Sequence, residues 1–217
     1  MPAKFLAQLL PTDRERLSIA FRRRIEVGNS MDSFEQVVAE ILWAQGFWVR
    51  TSVKVNLTKA EKVKIERGSS PRWELDIVAY NARDNILNVV ECKSYLDSPG
   101  VQTAGFVAGT KAATRFKLFN DARLRETIFS RLAADFESSS LCRPAPTVKL
   151  CLACGNIQKR SRPEIERRFE EEGWILWDER WLREKLKKLG QKESPYENQI
   201  ASVVAKIIIR GGVDESR

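Results

Sequence analysis

Charged residues sit in this chain where a folded protein would normally place apolar ones. Trp73 to Tyr80 and Ile86 to Ser94 both read as β-strands, since β-branched and aromatic residues dominate them and Asn81-Ala82-Arg83-Asp84-Asn85 supplies the turn between. Residues two apart in a strand share a face. Glu74 and Asp76 therefore fall together on the first strand and Glu91 and Lys93 on the second, with Leu75, Ile77, Val90 and Cys92 expected to face the other way. Across a hairpin, the carboxylates and the ammonium converge. Carboxylate oxygens bind hard cations such as Mg²⁺, and a cation held there polarises a phosphate and acidifies a bound water. A neighbouring lysine holds the attacking water or offsets the negative charge that develops on the phosphoryl group. These are the parts needed for phosphodiester hydrolysis. Ion pairs on an exposed sheet face are the competing explanation. VVECKS argues against it, because its charges lie within an otherwise apolar strand, where unpaired charge is costly.

Composition narrows the chemistry further. The chain contains no histidine, which removes Ser-His and Cys-His nucleophilic catalysis and nearly all catalytic zinc arrangements. A hydrolase built from this sequence must work with carboxylates, lysines and a metal. Lys and Arg outnumber Asp and Glu by 37 to 29, a net charge of +8 that favours a polyanionic partner, nucleic acid first among them. No apolar run is long enough to span a bilayer, the N-terminal apolar stretch is too short for a secretion signal, and the four cysteines suit a reducing compartment; a cytoplasmic protein is expected.

Glu74-Leu75-Asp76 followed by Glu91-Cys92-Lys93 resembles the signature of the PD-(D/E)XK nuclease superfamily, and the chain looks most like its Mrr-like restriction endonucleases and the related archaeal Holliday junction resolvases. The resemblance spans roughly Asp32 to Leu189 and includes the later GWILWDERWLREKL; Leu75 stands where the signature has its namesake proline. It implies an α/β fold with a restriction-endonuclease-like mixed central β-sheet flanked by α-helices. It also implies Asp76 and Glu91 as metal ligands, Lys93 as the catalytic lysine, and Glu35 as a further acidic ligand from the preceding helix. The cofactor would be Mg²⁺, with Mn²⁺ able to substitute. The implied activity is metal-dependent endonucleolytic cleavage of DNA, in restriction or repair, by a homodimer, because cutting both strands of a duplex takes two active sites. Two other readings stay open: an RNA-cleaving or branch-specific nuclease, and a catalytically silent nucleic-acid-binding subunit with a nuclease fold. Intact Asp76, Glu91 and Lys93 argue against the second. Glu35 also fits a helix capping box with Asp32, which by itself accounts for an acid there. Glu74 is a bystander or a support behind the ligands, and Gln102 is either a group that reaches a phosphate or orients Lys93, or a solvated polar residue.

The remaining elements must position these groups. Thr12 to Val27 is expected as a basic amphipathic helix carrying Arg22, Arg23 and Arg24, within an N-terminal piece of residues 1–31. A nuclease core over 32–190 would begin with a helix near Asp32 or Ser33, whose buried stripe is Phe34, Val37, Val38, Ile41 and Leu42, followed by a strand from Phe47 to Leu57 and a charged turn region from Lys59 to Arg72. A helical insert around 99–137 is expected to open with Pro99 at a first helical position and to end in a helix from Asp121 to Phe136. Thr147 to Ala153 reads as a buried strand, Arg162 to Glu172 as a helix, Trp174 to Trp177 as a short strand and Glu179 to Leu189 as a helix, before a C-terminal apolar segment and tail over 191–217. Cys151 and Cys154 form a CxxC, but no second CxxC or histidine completes four zinc ligands, so they are expected in the core, as are Trp174, Trp177 and Trp181.

Overall fold

The structure, a computed structural model, describes residues 32–66, 73–192 and 199–211, with side chains described as far as Ile209. The expected N-terminal basic helix and its three arginines lie outside these residues, as does the end of the Lys59–Arg72 region. The chain divides into two units, Met1–Asp32 and Ser33–Arg217, and the second of them carries the elements of the fold.

A five-stranded mixed sheet forms its centre. The strands are β1 (Trp48–Val55), β2 (Trp73–Asn81), β3 (Ile86–Lys93), β4 (Thr147–Cys154) and β5 (Ile175–Trp177), and they lie side by side in chain order. β1, β2 and β3 form an antiparallel meander, after which β4 and β5 continue parallel to β3. Parallel strands need long crossovers, and helices supply them. α1 (Ser33–Ala44) precedes β1. The short α2 (Lys59–Lys64) follows it, opened by a capping box in which Thr58 and Glu61 bond reciprocally. α3 (Lys117–Asn120) and α4 (Ala122–Ser138) lie between β3 and β4, α5 (Arg162–Glu171) lies between β4 and β5, and α6 (Glu179–Gln191) and α7 (Ile200–Gly211) complete the order. Asp121 caps α4 through the Leu124 N–H, and Asp178 caps α6 through the N–H groups of Arg180 and Trp181.

The sheet separates two cores. On one face Val78, Tyr80, Leu87, Val89, Leu150 and Leu152 pack with Leu124, Ile128, Leu132 and Phe136 of α4 and with Ile165 and Phe169 of α5. On the other, Ile77, Ala79, Val90, Cys92, Cys151 and Ala153 pack with Phe34, Val38, Ile41 and Leu42 of α1 and Leu182 of α6. Burial on both sides explains why β3 and β4 are apolar almost throughout. The C-terminal apolar segment is a helix seated on α6. Its first turn is tied to α1 by the buried Glu40, whose Oε2 accepts from the Ala201 N–H at 2.6 Å. Gly190 permits the close approach, since a Cβ there would lie 2.4 Å from Ile209 Cδ1.

Three expectations fail. The charged region from Lys59 opens with the helix α2 rather than a turn, because Thr58 and Glu61 cap it. No α-helix starts at Pro99; the stretch instead makes 3₁₀ turns at Thr103–Phe106 and Ala112–Arg115. Gly100 and Gly109, at φ +94° and +84°, hold conformations that a right-handed helix does not contain. Nor do Leu75 and Ile77 share a face, for Leu75 packs into the α4–α5 core and Ile77 into the α1 core. The same exchange occurs on β1, where Val49 joins the α1 core and Val53 and Val55 the other. Between them Ser52 takes φ 50°, and the β1–β2 ladder passes from Thr51↔Ile77 to Val53↔Leu75 around Ser52 and Asp76. The distortion reverses the inside-outside alternation of both strands at Asp76. Among the described residues, no helix is long and apolar enough to cross a membrane.

Candidate active site

β2 and β3 pair from Ile77↔Val90 to Asn81↔Ile86 and then part, β2 staying with β1 and β3 with β4. Their parting leaves N–H and C=O groups that a continuous ladder would have satisfied. The Asp76 carboxylate takes one of them, Oδ2 accepting from the Cys92 N–H at 2.8 Å. That bond holds the carboxylate in the fork between the strands.

On the β3 side, Lys93 Nζ lies 3.0 Å from Glu91 Oε1, with side-chain exposures of only 22% and 15%. Burial, opposed by the Lys93 ammonium and reinforced by Asp76, pushes the Glu91 carboxyl above the usual carboxylate range. For Lys93, burial disfavours the charge, but Glu91, Asp76 and Tyr95 together outweigh it, and the ammonium titrates above the usual lysine value. Its Nζ also stands 5.8 Å from the Phe116 ring centroid. Lys93 is therefore cationic at neutral pH, beside two carboxylates.

A cleft of about 200 Å³ opens between the parted strands, lined by Glu74, Asp76, Glu91 and Lys93 on one side and by Thr114, Arg115 and Lys117 on the other. The Lys117 ammonium lies 6.0 Å from the Trp73 ring centroid. The structure thus brings together Asp76, Glu91, Lys93 and Glu74. Gln102 lines a neighbouring pocket instead. Glu35, in the first turn of α1, is not among the residues lining the cleft; burial and then the carboxylates of Asp76 and Glu35 push the Cys92 thiol up. Among the described residues no group of three Asp, Glu, His or Cys side chains is gathered as a metal site. Of the three cleft carboxylates, Asp76 and Glu91 nevertheless fit Mg²⁺, which characteristically takes one or two carboxylates, retains several waters and completes its shell with phosphate oxygens. Burial, and behind it the charge of Asp76, disfavours the Glu91 carboxylate, and a bound cation would relieve both.

Arg115 and Lys117 carry no signal in the sequence that marks them as site residues, because they lie outside the signature and reach the cleft through a 3₁₀ turn and a single turn of helix. Cys151 and Cys154, three apart on β4, project to opposite faces of the sheet, one into each core, so they form no pair of ligands. Trp177 stacks on Trp181 with centroids 5.0 Å apart, and Trp174 packs edge-on against Phe119 and Phe169.

No protein-family profile matches the chain, and no curated protein matches it. Among solved structures, the crystal structure of a protein of unknown function, AF1548, is similar at a TM-score of 0.39 and 18% identity, over 82% of this chain and 76% of that one.

Proposed function

We propose that this chain is a metal-dependent nuclease of PD-(D/E)XK type acting on DNA. The observation that carries the reading is the convergence of Asp76, Glu91 and Lys93 in one cleft, with Arg115 and Lys117 on its facing wall. Asp76 and Glu91 would hold Mg²⁺ or Mn²⁺. A divalent cation there supplies Lewis-acid polarisation of the phosphoryl oxygens and a more acidic water. The chain's own groups do the rest. Asp76 is oriented by the Cys92 N–H, so its oxygens are fixed before substrate arrives. Lys93, held by Glu91, donates to the attacking water or to a non-bridging oxygen as negative charge builds in the transition state. Arg115 and Lys117 bind the phosphodiester backbone, and the net +8 charge favours the encounter. A homodimer would supply the two sites that a double-strand cut requires. The described cysteines are all free thiols, which fits a reducing cytoplasmic setting for defence or repair.

The test is a cleavage panel over supercoiled, linear, methylated, branched and single-stranded DNA, and RNA, with Mg²⁺, Mn²⁺, Ca²⁺ or excess chelator, run beside Lys93→Ala. Cleavage is expected with Mg²⁺ or Mn²⁺ and not with Ca²⁺ or chelator. Lys93→Ala is expected to bind metal in a calorimetric titration yet cleave on the order of 10²-fold more slowly. Inertness on every substrate, activity in chelator, or wild-type turnover by a folded Lys93→Ala would each overturn the proposal.

A further inference from the structure

The cleft between β2 and β3 has a larger neighbour. A second pocket of about 470 Å³ shares Thr114 and Arg115 with it, so the two adjoin at the 3₁₀ turn Ala112–Arg115. Its walls differ in kind from those of the first. Half-buried Tyr95 contributes aromatic surface, Pro99 a further apolar ring, Gln102 an amide, and Lys111 and Arg115 cations, while Phe116, 3% exposed, closes the floor from the core. One aromatic wall with an amide nearby suits a nucleobase, which stacks through a face and hydrogen-bonds through its edge. Size divides the labour in the same way. Pockets that hold ligands of nucleotide size run to roughly 300–1,000 Å³, which the second pocket reaches and the cleft of about 200 Å³ does not.

The pocket is built in advance of any ligand. Gly100, at φ +94°, brings the loop against Asn156, whose carbonyl oxygen a Cβ would meet at 2.7 Å, and a Cβ on Gly105 would lie 2.8 Å from the Phe116 ring. The Asn156 amide donates to the Ser98 carbonyl at 3.0 Å, and the Ser98 hydroxyl donates to the Tyr95 carbonyl at 3.3 Å. Tyr95 itself sits at φ 40°, a left-handed conformation that is costly for a bulky side chain and that concentrates at functional sites. It joins the two halves: its side chain lines the second pocket, and it stands two residues along the chain from Lys93, which lines the first.

We infer that the second pocket receives a nucleobase adjoining the scissile phosphate, and that the substrate is therefore DNA with unpaired nucleotides at the point of cutting; this rests on the nuclease reading of the cleft. A base inside a duplex presents only its edges, and to lie against the Tyr95 ring in this pocket it must leave the stack. That extrusion is least costly where the base is already unpaired.

Binding to the full chain, measured in excess chelator so that nothing is cut, tests this. The probes are a dye-labelled single strand, the blunt duplex of the same sequence, and a duplex with an unpaired 2-aminopurine. Single strand and bulged duplex are expected to bind roughly tenfold or more tightly than the blunt duplex, with 2-aminopurine emission quenched by stacking. Tyr95→Asn keeps a residue tolerant of positive φ and removes the ring; it should abolish the quench and lower single-strand affinity about tenfold while leaving the blunt duplex unchanged. Gln102→Ala, at an exposed position, should weaken single-strand binding alone by a smaller factor. Equal affinity for the three probes, or a quench that survives Tyr95→Asn, overturns the inference. If cleavage with Mg²⁺ persists alongside that result, the nuclease reading stands without it; if no nucleic acid is bound or cut, both fall.

Discussion

The two halves of the β2–β3 hairpin are the same strands treated in opposite ways. Toward the turn, Ile77 to Asn81 pair residue for residue with Ile86 to Val90, and every residue of that ladder except the turn-end pair is buried. The turn is pinned by short side chains: Asn81 Oδ1 accepts from the Arg83 N–H at 3.0 Å, and the Tyr80 hydroxyl donates to Asn85 Oδ1 at 2.9 Å. Toward the other end the ladder stops, a carboxylate replaces a backbone carbonyl as partner of the Cys92 N–H, and charged groups line the gap. Apolar side chains close strands because burial rewards contact. Like-charged carboxylates at Asp76 and Glu91 resist it, and a fork between strands is the geometry that lets them share a cation. The closed half is thus an anchor, and the open half holds its groups apart at the cost of pairing.

That contrast can be broken most sharply at Asp76. Asp76→Asn retains an oxygen that can accept from the Cys92 N–H but loses the charge, so the fold should stay near wild-type stability while metal affinity and cleavage fall, the latter on the order of 10²-fold or more. Asp76→Ala should fail in both respects. It leaves the Cys92 N–H, on a residue only 8% exposed, without that acceptor, at a cost of about 1–3 kcal/mol. Single-turnover cleavage beside chemical denaturation separates the two; equal stability of the Ala and Asn variants would show that the bond does not hold the fork.

The next effect is on pH. The folded pKa of Glu91 is raised, so its contribution to stability is greatest below the ordinary carboxylate range and is lost as pH rises through the folded value. Lys93 is also raised; its contribution is fully present below the ordinary lysine pKa and disappears only as pH climbs through its own folded value. The metal-free fold therefore favours the protonated form of Glu91 and the charged form of Lys93. Mg²⁺ competes with the proton for Glu91. Its affinity should fall by up to roughly tenfold per pH unit on acidification, with a midpoint above the ordinary carboxylate value. Calorimetric titration of Mg²⁺ across pH reads this directly, and a midpoint at the ordinary value would contradict the burial of Glu91 beside Asp76.

The smallest effect belongs to the closed half. Tyr80→Phe removes the hydroxyl that donates to Asn85 and accepts from the Arg143 N–H at 3.0 Å. It should cost about 1–2 kcal/mol of unfolding free energy and leave cleavage unchanged. A loss of activity at constant stability would mean that the turn end and the fork are coupled through the ladder.

Local pattern sufficed for much of this molecule. The strands β1 to β5 and the helices α1, α4, α5 and α6 lie within a few residues of where alternation, helical spacing and caps such as Asp121 and Asp178 put them, because those signals are written in neighbouring side chains. The mixed α/β architecture and the meeting of Asp76, Glu91 and Lys93 were legible on the same grounds, since a short hairpin turn brings its two strands together whatever surrounds them. Long-range packing decided the rest. Pro99 begins no helix because Gly100 must press against Asn156, far along the chain. Leu75 leaves the face of Ile77 because Ser52, on another strand, turns to positive φ opposite Asp76, and no period-two reading of one strand contains that event. Arg115, Lys117 and the pocket around Tyr95 reach the cleft through 3₁₀ turns whose course is set by what they pack upon. The residues of the candidate centre were therefore determined by sequence, and the space around them, which decides what can enter, only by the tertiary fold.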